Sequence, residues 1–134
     1  MQTILVDTNV LIDYFDQDSE WNDWSASMLS ESTRTGQLVI NPVIYAEVCV
    51  GFETIEEVEE ALPRDYFLRL HLPWEASFLA ARAFEHYRRR GGLKRSPLPD
   101  FFIGAHAAVA GMTLLTRDAR RYRTYFPKLR IIAP

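Results

Sequence analysis

Short runs of apolar residues alternate along the chain with longer segments of mixed character. Thr3–Val6, Leu38–Ile40, Tyr66–Leu70, Thr113–Thr116 and Arg130–Ile132 are the short runs, and each is brief and largely apolar. Strands covered on both faces have this character, because neither side of the pleat meets water. The intervening segments carry helix punctuation. Thr8 or Asn9 opens Val10–Phe15, and Ser19 is placed to cap a helix that holds Trp21, Trp24, Met28 and Leu29 and stops at Gly36. Asn41-Pro42 pairs a cap residue with proline at the first helical position, and that helix runs to Gly51. Thr54 and Glu57 have capping-box spacing ahead of a helix that stops near Pro63. Pro73 precedes a long helix from Trp74 to Arg90, with Phe78, Ala81, Ala83 and Phe84 on its apolar side, closed by Gly91-Gly92. Leu93–Pro99 reads as a basic loop, and Asp100 as the start of a last helix ending at Gly111. Strands alternating with helices predict a single α/β domain over residues 1–134: a three-layer α/β/α sandwich around a parallel sheet.

This pattern places the acids. Asp7 directly follows the first strand, Asp118 lies just past the fourth, Asp100 begins the helix feeding the fourth, and Glu47 sits inside an apolar helix. Ligands of open parallel sheets bind beyond the carboxyl ends of the strands. Each acid also has a plain structural reading. Asp7 and Asp100 can cap helices, Asp118 can cap a turn, and Glu47 can lie on an exposed stripe. Taken together they converge on one sheet edge, where carboxylates repel unless protonated or bridged by a cation. Oxygen donors without clustered histidine or cysteine favour Mg²⁺, with Mn²⁺ as the substitute.

Composition adds limits. Cys49 is the sole cysteine, which excludes a disulfide within the chain and a cysteine-based zinc site. The longest uncharged run, Phe101–Thr116, contains two glycines and falls short of the roughly 20 apolar residues of a membrane span. The start, MQTILVDTN, lacks the basic and apolar regions of a signal peptide. A cytoplasmic protein without membrane contact is therefore expected. The formal net charge of −3 conceals a division. Residues 1–81 hold 15 acids and 3 bases, whereas residues 82–134 hold 12 bases and 3 acids. Such asymmetry raises the expectation of a polyanionic partner.

The sequence resembles PIN-domain ribonucleases, and among them the toxins of VapBC-type toxin–antitoxin pairs. Val6-Asp7-Thr8-Asn9, Asn41-Pro42-Val43-Ile44-Tyr45-Ala46-Glu47, Pro99-Asp100 through His106-Ala107, and Leu114 through Arg121-Tyr122 carry the resemblance, with Tyr125-Phe126-Pro127 to Ile132 completing it. It implies a four-acid metal site of Asp7, Glu47, Asp100 and Asp118, supported by Thr8, Asn9 and Thr116. The implied reaction is metal-dependent endonucleolytic cleavage of RNA, and the implied partners are a small antitoxin protein and a second copy of the chain. In that scheme Asp7 and Asp100 ligate metal directly. Glu47 ligates or orients the attacking water, and Asp118 holds a second, weaker ion or acts through water. Thr8 and Thr116 fix carboxylate rotamers. Arg117, Arg95 and Arg121 are the expected RNA contacts, with Arg117 foremost as a phosphate clamp. Cys49 and His106 are expected to be packing residues, as are Trp21, Trp24 and Met28, although the early helices can also wall an antitoxin groove.

Rival readings fit less well. A phosphoacceptor receiver domain needs paired acids after the first strand and an acceptor aspartate after the third, where this chain has His71. A haloacid-dehalogenase phosphatase needs a second acid where Asn9 stands. A catalytically silent RNA-binding or assembly module would have lost one of the four acids, and none is lost.

Overall fold

The computed structural model describes residues 2–92 and 97–134. Five strands, β1 (Gln2–Val6), β2 (Gly36–Ile40), β3 (Leu68–Arg69), β4 (Thr113–Leu115) and β5 (Ile131–Ile132), form one parallel sheet in the order β3-β2-β1-β4-β5. Among the described residues, seven helices, α1 (Thr8–Phe15), α2 (Asn22–Thr35), α3 (Pro42–Cys49), α4 (Ile55–Ala61), α5 (Trp74–Arg89), α6 (Leu98–Ala110) and α7 (Arg120–Tyr125), flank it. Coverage of both faces is why β1 is apolar throughout its second half: Ile4, Leu5 and Val6 are fully buried. The chain runs outward from β1 to β3 and then returns to β4 on the other side of β1. The order therefore reverses between β1 and β4, and the crevice at their carboxyl ends is where such sheets bind ligands.

Local signals set most boundaries. The Asn41 side chain accepts a 2.9 Å bond from the Ile44 N–H and caps α3, with Pro42 at its first position. Both halves of the Thr54–Glu57 capping box form. Gly111 ends α6 in the left-handed region at φ +68°.

Several expectations are corrected. Ser19 does not cap α2, because its hydroxyl accepts from the Trp21 N–H and donates to Asp13, closing a turn three residues ahead of the helix. Gly36 ends α2 as expected, its N–H closing the helix on the Ser32 carbonyl, and it is also the first residue of β2. It pairs with Gln2, and a Cβ there would lie 2.2 Å from the Gln2 carbonyl oxygen. The third strand is only Leu68–Arg69, since the Tyr66 and Phe67 N–H groups both turn back to the Pro63 carbonyl. On α5 the buried residues are Ala76, Ala80 and Ala83, while Phe78 and Ala81 are exposed. Small residues let α5 lie closely along α6, leaving the larger ring outside. α6 begins at Leu98, so Asp100 is in its first turn and does not cap it. α7 has no apolar run to announce it, and its one buried residue is Tyr122. Trp24 and Met28 pack against the core, as expected. Arg95 and most of the predicted basic loop lie outside the described residues.

Candidate active site

Strand register builds the site. Val6 pairs with Leu115, so the next residues, Asp7 and Thr116, come level at the carboxyl edge. The Asp7 N–H continues the ladder with a 2.9 Å bond to the Leu115 carbonyl. Asp7 also caps α1, its Oδ1 accepting the Thr8 N–H at 2.7 Å. Its Oδ2 accepts the hydroxyls of Thr116 and Tyr122, each at 2.9 Å, and is 3.4 Å from the Asn9 amide. Oδ2 is thus crowded with donors, and Oδ1 has one. Asp7 is 3% exposed, and burial pushes its pKa up to about 6 despite the Thr116 hydrogen bond, with the Asp100 charge adding to the rise.

Thr116 uses its full hydrogen-bonding capacity. Its hydroxyl donates to Asp7 and accepts from the Asp118 N–H at 3.1 Å and from Asn9 at 3.3 Å. The loop carrying Asp118 is thereby pinned to Asp7. Glu47 arrives on α3, where Thr8 donates a 2.7 Å hydroxyl bond to its Oε1. Burial raises the Glu47 pKa, the Thr8 bond opposes the rise, and the Asp100 charge adds to it. Asp100 is bound by Arg121 at 2.6 Å. The charges of Asp7, Asp100 and Glu47 all act on the buried Tyr122 hydroxyl, whose pKa lies well above the ordinary value chiefly through burial. Three of the four predicted acids are therefore in electrostatic reach of one another. Asp118 is exposed at the rim and joins them through the Thr116 hydroxyl.

These acids come from the β1–α1 junction, α3, α6 and the loop after β4, so only the fold brings them together. Burying carboxylates costs free energy unless cations compensate them. Arg121 compensates Asp100, while Asp7 and Glu47 carry raised pKa values. This all-oxygen, charge-poor set suits a hard divalent cation in its donor chemistry. Among the described residues, no three His, Cys, Asp or Glu side chains are close enough to form a closed metal cage.

The PIN domain family model matches residues 4–127. The chain belongs to the PIN domain family. No curated protein sequence matches it. The PIN domain has the fold of a chain in VapBC2 from Rickettsia felis bound to a DNA fragment from their promoter, with a TM-score of 0.75, 16% identity and 98% of each chain covered. It is similarly related to a chain of VapBC-1 from nontypeable Haemophilus influenzae, at a TM-score of 0.73, 16% identity and 98% of each chain. A member of the VapBC family of toxin–antitoxin systems, VapBC-5 from Mycobacterium tuberculosis, gives a TM-score of 0.60 at 18% identity, covering 99% of this chain and 98% of that one. Among the described residues, no helix is long and apolar enough to cross a membrane.

Two residues of the PIN domain's site escaped the sequence reading. Tyr122 touches Asp7 directly, and its only signal is the i−3, i+4 spacing with Ala119 and Phe126, which are also buried. Asp13 is buried and binds the Arg117 side chain, whose guanidinium also lies over the Trp21 ring at 5.8 Å. The Arg117 N–H donates to the Asn9 side chain at 3.1 Å. Asn9 and Asp13 are four apart on α1, one face of the helix, and together they hold the segment that leads into Asp118. Arg117 is thus engaged by α1. His106 is buried, its Nδ1 lies 3.0 Å from the Asn41 amide, and burial lowers its pKa. It ties α6 to the cap of α3 and packs as expected. Cys49 is a half-buried free thiol against the core.

Proposed function

We propose that this PIN domain is a Mg²⁺-dependent endoribonuclease, the toxin of a type II toxin–antitoxin pair. It would act as a homodimer restrained by a small cognate antitoxin protein. The observation that carries the reading is the convergence of Asp7, Glu47 and Asp100 at the switch point of the sheet, with two of the three held above their ordinary pKa. Similarity of fold to chains of VapBC toxin–antitoxin systems supports the antitoxin partner.

Asp7 and Asp100 are the residues that would hold Mg²⁺, with Asp118 at the rim and Glu47 either ligating or orienting the attacking water. A bound divalent cation polarises the scissile phosphate, lowers the pKa of a bound water and stabilises the leaving oxygen. The chain's own contribution is positional. Thr116 and Tyr122 occupy Asp7 Oδ2 and leave Oδ1 the less encumbered oxygen. Thr8 fixes the Glu47 carboxylate. Arg121, close to Asp100, supplies positive charge where a phosphate would approach.

Purified protein incubated with end-labelled RNA and Mg²⁺ tests this directly. Cleavage should require the metal, stop with EDTA, and be absent in Asp7→Asn. Cleavage that survives Asp7→Asn would sink the proposal. Binding of RNA without cleavage by the wild type under all metals tried would instead favour the silent module.

A further inference from the structure

We propose that the carboxyl-terminal end of α5 and helix α7 form a track for single-stranded RNA leading away from the acids, an inference resting on the ribonuclease reading above. Three arginines of this region lie over aromatic rings: Arg88 over Phe84 at 5.8 Å, Arg90 over Tyr125 at 5.9 Å, and Arg121 over Tyr87 at 5.8 Å. The rings form one cluster, with Tyr87 and Tyr125 centroids 6.1 Å apart and His86 meeting Tyr125 edge-on at 5.5 Å.

A guanidinium seated on a ring is held in place without giving up its N–H donors, which remain for phosphate. The charge balance here is uneven. Glu85, the acid on this stretch of α5, is shared by Arg82 and Arg89. Among the described residues, neither Arg88 nor Arg90 has a carboxylate partner, and both are exposed. Uncompensated arginines interleaved with aromatics are the composition of single-strand binding surfaces, where phosphates meet cations and bases stack on rings. Exposed His86 is the stacking surface most open to a base. Arg121 supplies the direction, because the same side chain rests over Tyr87 and binds Asp100. The track therefore begins at the site.

The test uses the full chain carrying Asp7→Asn, in EDTA, so that binding is read without cleavage. Anisotropy of a fluorescein-labelled, mixed-sequence single-stranded RNA is followed across NaCl concentrations. Arg88→Gln with Arg90→Gln should weaken binding tenfold or more at low salt. It should also make the log–log salt dependence shallower by about 1.4, at roughly 0.7 per single-strand phosphate contact. His86→Ala should weaken binding severalfold and leave that slope unchanged. All three side chains are exposed, so folding is expected to persist and is checked by thermal melting. Unchanged affinity and slope in the double arginine variant would overturn the track. So would polyglutamate displacing the RNA as well as unlabelled RNA does while His86→Ala is inert, since that marks a face for an acidic peptide. If the wild type cleaves RNA but the arginine variants bind normally, only the track fails. If no cleavage occurs while the track variants lose binding, only the hydrolase reading fails.

Discussion

Asp7 bears conflicting demands, and its titration exposes them. In an unfolded chain its carboxyl loses its proton near 3.8, and in the folded protein near 6. Between these values the native state binds more protons than the unfolded state, so stability falls as pH rises through the window and levels off above it. The cost of holding the buried charge is on the order of 3 kcal/mol at neutral pH. Asp7→Asn removes that charge while keeping the shape. It is expected to abolish cleavage and yet melt at a higher temperature than the wild type at pH 7, with the gap shrinking as pH falls from 6 to 4. Melting curves across pH check this, and a variant less stable at pH 7 would contradict the account. At subsaturating Mg²⁺, activity should decline as pH falls below 6, because the proton on Asp7 competes with the metal. Asp118 offers the contrast, because it is exposed and pinned only through backbone and Thr116. Asp118→Asn should weaken Mg²⁺ affinity with a change in stability below about 1 kcal/mol, the usual range for exposed substitutions. Calorimetric titration of the metal reads that difference, and unchanged affinity would remove Asp118 from the metal site.

At the scale of elements, the site depends on helices being held at fixed distances from β1. Those whose starts are written in short-range chemistry were legible in the sequence: Asn41-Pro42 for α3 and Thr54–Glu57 for α4 specify caps that need no tertiary partner. Asp7 too was legible, because an acid following an apolar strand is conspicuous. The parts that escaped are made by tertiary contact. α7 has only the sparse spacing of Ala119, Tyr122 and Phe126 to announce it. It docks because Gly104 on α6 presents no Cβ to it: an added Cβ would come within 2.5 Å of the Phe126 ring and 3.0 Å of Tyr122. On α5, Ala83 and Phe84 face inward as the sequence suggests, Phe84 meeting the Phe101 ring of α6, whereas Phe78 is exposed because Ala76 and Ala80 take the buried positions. Asp13 was unreadable among its acidic neighbours until Arg117 reached it across 104 positions of sequence. These contacts predict behaviour. Gly104→Ala should push α7 outward and loosen Tyr122 from Asp7, destabilising the protein by about 1–3 kcal/mol as overpacking does. Tyr122→Phe leaves the packing in place and removes only the hydroxyl. It should therefore cost less stability than Gly104→Ala, a comparison that chemical denaturation makes directly.

Across the whole molecule, the mild net charge of −3 is the sum of two unlike halves that the fold brings together at one sheet edge. The acidic half contributes Asp7 and Glu47, and the basic half contributes Asp100, Asp118 and the arginines beside them. Arg121 reaches only Asp100, so the site holds more negative charge than the protein's own cations offset. Any divalent cation that enters this set binds the native state and not the dispersed carboxylates of the unfolded chain. It must then stabilise the fold, by about 2.7 kcal/mol at a hundredfold excess over its dissociation constant. For a chain of this length that corresponds to a rise in melting temperature of roughly 10 °C. Monovalent salt at equal ionic strength controls for simple screening and should produce little of the effect. The response should be larger at pH 7 than at pH 5, because below about 6 the metal must displace the proton on Asp7. It should be lost in Asp7→Asn, which starts from the higher melting temperature argued above and gains nothing from Mg²⁺. A wild type whose melting temperature ignores Mg²⁺ and Mn²⁺ at pH 7 would show that these carboxylates are balanced in some other way, and the metal-dependent reading would fall with it.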